Sequence, residues 1–343
     1  MNIQQQVALW SLFFLICVGL GYPTLNRFDP RYVEGLSDTR EYYQLVIGEG
    51  RIELDDLRHR ILVPYVARPF YWLAKGHTAT WDPVLFGLLC SNSLFVATTA
   101  LLLVRAGIHI SGFFAPALVG GLLYLLNFAI ANLLLAGYVD SAQACLIMAM
   151  TLSLMSDRWC LLPIWCTFGA FAKETSVPLF VLFALGWWIA EGCADRFRLV
   201  RALWIAAMGV CGFLTLTLIM HVTSQYTPWS FAAIRHATSG SQFFYVVGLY
   251  RSIFNRTFWY VFVWLLPTGI WGLGRLPRTW VWASGTSALG AVAMSAYNDA
   301  LGNGARALFN ISGPLLSLSV AILLTDFPGP TPARPATVLR GRT

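Results

Sequence analysis

Charge is what this sequence has least of. Only 11% of its 343 residues are Asp, Glu, Lys or Arg, where a soluble domain carries roughly 25%. A chain so poor in charge must face lipid, or pack against helices that do. Paired metal-ligand motifs are missing as well. The seven cysteines include no CxxC and the five histidines no HxxxH. No zinc or haem site is legible, and the cysteines read as small apolar fillers. Residues 7–25, VALWSLFFLICVGLGYPTL, have no Lys or Arg before them and no small-residue cleavage site after them. They read as a retained anchor rather than a removed signal peptide.

What is present is apolar: 57% of the chain is hydrophobic and 15% aromatic. A membrane-spanning helix needs about 20 apolar residues. Ten candidate stretches lie at 7–25, 84–104, 112–131, 140–156, 160–172, 175–191, 202–222, 257–273, 279–296 and 307–325. The expected fold class is an all-α polytopic membrane protein with about ten transmembrane helices. A single bundle occupies 1–325, and the Pro-rich, basic tail 326–343 reads as disordered. The stretch 160–191 is divided at FAKETSVP. One long helix would bury Lys173 and Glu174 at mid-membrane, at a cost of several kcal/mol, and Pro178 favours a break.

A net charge of +7 would suggest nucleic acid in a soluble protein. Here the basic residues sit mostly in short loops, so no nucleic-acid partner is expected. With the N-terminus inside, Arg105, Arg158, Arg196, Arg198, Arg201, Arg275 and Arg278 fall in cytoplasmic loops. The short outer loops hold only Lys173 and Arg306. The positive-inside rule therefore favours both termini in the cytoplasm. Nine of the 16 acidic residues then lie in the first outer loop, 26–83, so any site opens outward.

Loops this long without structure are uncommon unless functional. This one reads as two helices. DTREYYQLVIGE sets Tyr42, Leu45 and Val46 on one face, with Asp38 and Glu41 one turn apart on another. LDDLRHRILVPYVARPFYWLAKG is amphipathic and rich in Arg and aromatics, which suits the membrane interface. Pro64 and Pro69 are expected to kink or divide it. The residue types leave bland roles open beside functional ones. Asp38 and Asp140 suit helix starts, Lys173 and Glu174 a local ion pair, Arg60 and Arg306 interfacial anchoring.

This order of parts resembles the C-type glycosyltransferase (GT-C) superfamily of multi-pass enzymes. The likeness lies in one anchor helix, a large outer loop with an early Asp, the basic-aromatic RHRILVPYVARPF and a bundle of short helices. GYVDSAQACL (137–146), FAKETSVPL (171–179) and NGARALFNISGPLLSL (303–318) add shorter matches. The resemblance implies a membrane glycosyltransferase moving a sugar from a polyprenyl-phosphate donor to a lipid, glycan or protein acceptor. It implies work on the extracytoplasmic face of a bacterial inner membrane, by an inverting hexosyl- or pentosyltransferase. The catalytic carboxylate is then Asp38, with Asp55 and Asp56 as alternatives. The family often shows two near-adjacent acidic residues here, whereas Asp38 has only Glu41 nearby.

The chemistry of sugar transfer suits these residue types. A carboxylate can take the acceptor hydroxyl's proton. Fixed cations can hold the growing charge of the departing phosphate, and Arg60, Lys173 and Arg306 are the candidates. Glu41, Tyr42, Asp140, Glu174 and His236 are candidate substrate contacts. No ligand spacing demands a metal, although a carboxylate pair could hold Mg²⁺ or Mn²⁺ with phosphate. Charges near helix breaks also fit a transporter or lipid flippase, and a carboxylate-rich loop fits a scaffold protein.

Overall fold

The computed structural model describes residues 1–27, 37–48, 57–77, 81–135, 137–192, 198–224, 242–298 and 303–325. The tail beyond 325 and the segment 225–241 lie outside the described residues. Among the described residues the chain is helical, with no strand. The helices are α1 (Ile3–Arg27), α2 (Ser37–Ile47), α3 (Leu62–Ala74), α4 (Pro83–Ser111), α5 (Phe114–Leu125), α6 (Asp140–Met155) and α7 (Leu162–Ala172). They continue as α8 (Ser176–Ala190), α9 (Arg198–Ser224), α10 (Gln242–Phe254), α11 (Arg256–Phe262), α12 (Leu265–Gly272), α13 (Arg278–Asn298) and α14 (Asn303–Leu324).

Helix occupies most of each of the ten apolar stretches, but 112–131 is interrupted after Leu125 and 257–273 is divided between α11 and α12. Four described spans are long and apolar enough to cross a membrane: Ile3–Pro23, Pro83–Ser111, Arg198–Thr223 and Gly304–Leu324. The pair α11 and α12, bent by 44°, makes a fifth if taken as one span. The chain is thus an α-helical membrane protein. Helices α5 to α8 are apolar but shorter than a full crossing requires.

Helix α4 is the hub, packed against α1, α3, α5 and α6. Its start is well defined. Asp82 caps it by accepting from Val84 N at 2.8 Å and Leu85 N at 3.0 Å, and Pro83 supplies a preset φ at the first position. Gly112 ends it in the left-handed region at φ 75°. The second half of the bundle closes through α8 on α13 and through α14 on α5, α12 and α13.

The segment after α1 does hold two helices. Helix α2 buries Tyr42 and Val46, as its periodicity predicts, and Leu45 is half-buried. Helix α3 settles one half of an expectation: it runs through both prolines without dividing. Pro64 falls in the first turn, where its N–H has no helical partner to lose. Pro69 lies on the exposed face, so the carbonyl it leaves unpaired need not be buried. Tyr43 donates to Asp82 Oδ2 at 2.7 Å, and Arg68 Nη2 donates to the Leu45 carbonyl at 3.0 Å. These bonds fasten α2 to the start of α4 and to α3.

The stretch 160–191 breaks where its charges sit. Lys173 is extended, at φ −166° and ψ 140°, and stops α7. Glu174 and Thr175 make the turn, and Pro178 sits in the first turn of α8. The break puts Lys173 and Glu174 at one end of two helices instead of at the centre of one.

Candidate functional site

Asp140, the first residue of α6, is 2% exposed. It does not cap its helix, whose cap position is Val139 with no side-chain bond. Its carboxylate instead accepts from two cations. Lys173 Nζ donates to Oδ1 at 2.6 Å, and Arg306 Nη1 donates to Oδ2 at 3.2 Å. Both cations are about nine-tenths buried. The Arg306 guanidinium also lies over the Tyr138 ring, 4.2 Å from its centre, a placement that favours a partly desolvated cation.

A second set of pairs adjoins the first. Arg60 forks onto Glu174, with Nε 2.9 Å from Oε2 and Nη2 2.6 Å from Oε1. Its third group, Nη1, donates to the Tyr42 hydroxyl at 2.9 Å. His59 Nε2 donates to Glu174 Oε2 at 2.8 Å. Burial works to raise the Glu174 pKa. The Arg60 charge, the His59 and Arg60 hydrogen bonds and the neighbouring Lys173 outweigh it and hold the carboxyl well below the usual range. Arg60 acts electrostatically on Asp140 as well, so the two sets form one cluster.

The cluster is built from far-apart pieces: α2, the turn before α3, the start of α6, the α7–α8 turn and the start of α14. Its ledger of ion-paired groups is three fixed cations, Arg60, Lys173 and Arg306, against two carboxylates, Asp140 and Glu174. Fixed cations with hydrogen-bond donors in a low-dielectric setting suit an anion with several acceptor oxygens, above all a phosphate. A lysine ammonium has three donors, and Lys173 gives one to Asp140.

Six of the residues singled out in the sequence therefore meet: Tyr42, Arg60, Asp140, Lys173, Glu174 and Arg306. Glu41, beside Tyr42 on α2, is 3% exposed, and its Oε2 has no hydrogen bond among the described residues. Asp38 has its backbone in the first turn of α2, but its side chain lies outside the described residues. Asp55, Asp56 and His236 also lie outside them. Sequence reasoning missed His59 and Tyr138. Each stands next to or near a residue already chosen, His59 between Arg58 and Arg60 and Tyr138 two before Asp140.

Among the described residues no three His, Cys, Asp or Glu side chains gather to hold a metal, and Asp140 and Glu174 already bind cationic side chains. No family model, characterised protein or solved structure matches the chain.

Proposed function

We propose that the protein is a membrane glycosyltransferase using a polyprenyl-phosphate sugar, with the donor phosphate bound among Arg60, Lys173 and Arg306. One observation carries this reading: three cations from three separate chain regions converge on one buried place. An apolar cleft of about 410 Å³ supports it further. The cleft runs between α10 to α14 and is lined by residues such as Ile253, Phe262, Leu308 and Leu315. Its lining on α14 reaches up to Gly304, two residues before Arg306, on the opposite face of the helix from that arginine. In this reading the lipid tail lies in the cleft and its phosphate reaches round the start of α14 to the cations.

The reaction then runs as a displacement at the anomeric carbon. The acceptor hydroxyl attacks, and a carboxylate of α2 takes its proton. The bond from the anomeric carbon to the phosphate oxygen breaks, and its electron pair leaves with the polyprenyl phosphate. Lys173, Arg306 and Arg60 stabilise the charge that develops there. Asp38 is assigned as the base from its place in the first loop. Glu41 offers its unpartnered Oε2 to a substrate hydroxyl. In this reading the helices α5 to α8 are short crossings that, with α13, complete a ten-pass bundle. Both termini lie in the cytoplasm, and the cluster faces the extracytoplasmic side of a bacterial inner membrane.

The test is transfer of radiolabelled sugar from polyprenyl-phosphate donors in membranes carrying the protein. Asp38→Asn is expected to lower the rate at least about a hundredfold, within the range of general-base catalysis. Glu41→Gln is expected to raise KM more than it lowers kcat. Full activity of Asp38→Asn would remove the base assignment. A transporter or flippase is the second reading, favoured by buried amide side chains just inside the cluster. Labelling of site cysteines from both membrane faces would support it against the transferase.

A further inference from the structure

Beneath the charged cluster lies a second polar tier, on α6, α8 and α14. Gln143, Ser176 and Asn310 are fully buried. Gln143 Nε2 donates to Ser176 Oγ at 3.2 Å, and Asn310 Nδ2 donates to Gln143 Oε1 at 3.1 Å. These residues follow Asp140, Lys173 and Arg306 by three, three and four positions, about one helical turn. On α6 and α14 each upper residue thus has a lower counterpart on the same face. On the α8 side the counterpart of Lys173 is the first residue of the helix. The middle member comes from α6 in both tiers. Asp140 bridges Lys173 and Arg306, and Gln143 bridges Ser176 and Asn310. The upper tier is charged and the lower one neutral.

Stability does not explain the lower tier. Apolar side chains would fill this interior without needing partners. Among the described residues Asn310 Oδ1 has no hydrogen bond, and neither does Asn92 Nδ2, close to where Asn92 Oδ1 accepts from Ser141 at 2.5 Å. Buried polar atoms left unpaired weaken a fold. The tier does have a use if the upper tier must change partners. A phosphate set against Lys173 and Arg306 competes with Asp140 for both. The shared carboxylate is what ties three helix ends together, so losing its grip would let them spread. The amide bonds below carry no net charge for the ligand to attract, and in a low-dielectric interior they are strong.

We infer that Gln143 is a positioning residue: it keeps the ends of α6, α8 and α14 in register while a bound phosphate draws Lys173 and Arg306 from Asp140. This rests on the reading that a lipid phosphate binds at the cluster. Its benefit is preorganisation, since a site already in register need not be ordered by its ligand.

The experiment uses the full-length protein in lipid nanodiscs, with undecaprenyl phosphate as the probe. Gln143→Met keeps the volume and removes both bonds; Ser176→Ala removes one arm and serves if the first variant does not fold. The expected losses of affinity are about tenfold and about threefold, the scale of couplings between contacting groups. In an Arg306→Gln background, Gln143→Met is expected to cost much less than it does alone, because it acts through the cations. Equal losses in both backgrounds, or unchanged affinity, would overturn the inference. Hydrogen exchange of the ligand-free protein gives a separate arm. The first turns of α6 and α14 should exchange faster in Gln143→Met, with their far ends unchanged. Unaltered exchange there overturns the positioning role whether or not the probe binds. Faster exchange in Gln143→Met together with a wild-type protein that ignores undecaprenyl phosphate removes the donor reading instead.

Discussion

Asp140 serves two cations with one buried carboxylate, and that imbalance sets what its neighbours tolerate. Removing one partner of a buried pair leaves an uncompensated charge and costs roughly 3–5 kcal/mol. Asp140→Asn would leave both Lys173 and Arg306 without their carboxylate. Lys173→Met would leave Asp140 and Arg306 balanced one to one. We therefore expect Asp140→Asn to lower the melting temperature in nanodiscs far more than Lys173→Met. Lys173→Met should keep most of the stability and lose much of the phosphate binding. Equal destabilisation by the two changes would contradict the charge ledger. The charged members of this set were legible in the sequence because charge is rare there and each stands at an apolar boundary. His59 was not, since a histidine between two arginines gives no sign of which partner it will meet. Glu174 comes from a distant turn, and only the fold brings it within 2.8 Å.

At the scale of elements, the site depends on helices that stop in the right place and cross closely. The α7–α8 break was legible because a Lys-Glu pair stood at the centre of an apolar stretch. The unbroken course of α3 was not, because whether a proline breaks a helix depends on which turn and which face it occupies. The close crossing of α8 on α13 was also hidden. It rests on small residues and hydroxyls, not on hydrophobic periodicity. Ser287 Oγ donates to the Leu179 carbonyl at 2.9 Å, and Thr286 Oγ1 to that of Leu182 at 3.0 Å. A Cβ on Gly186 would lie 2.8 Å from the Trp282 carbonyl oxygen and 2.9 Å from Ala283 Cα. Gly186→Val must therefore push backbone away from backbone. The expected cost is roughly 1–3 kcal/mol, read as a lower melting temperature. Because α8 begins at the cluster, phosphate affinity should fall with it. A variant melting like the wild type would show that the crossing has room to spare.

At the scale of the whole molecule, the ion pairs between described residues gather at the two ends of α6. At the end away from Asp140, Arg201 pairs with Asp157 at 2.9 Å and with Glu191 at 2.8 Å. Trp159 and Trp187 donate their indole N–H groups to the same two carboxylates. The 16 residues of α6 span about 24 Å, somewhat less than the roughly 30 Å of a bilayer core. Composition and apolar run length were enough to read a helical membrane protein. They did not show which loops meet, because a membrane sequence records depth far better than neighbours. Arg60 and Glu174, 114 positions apart, are an example. The central claim is that the cluster holds the phosphate of a lipid. Native mass spectrometry of the full-length protein with undecaprenyl phosphate, and with undecaprenol of the same length, tests it most directly. The account predicts that the phosphate binds at least about tenfold more tightly than the alcohol, and that Lys173→Met with Arg306→Gln abolishes the difference. Equal binding of alcohol and phosphate by the wild-type protein would contradict it.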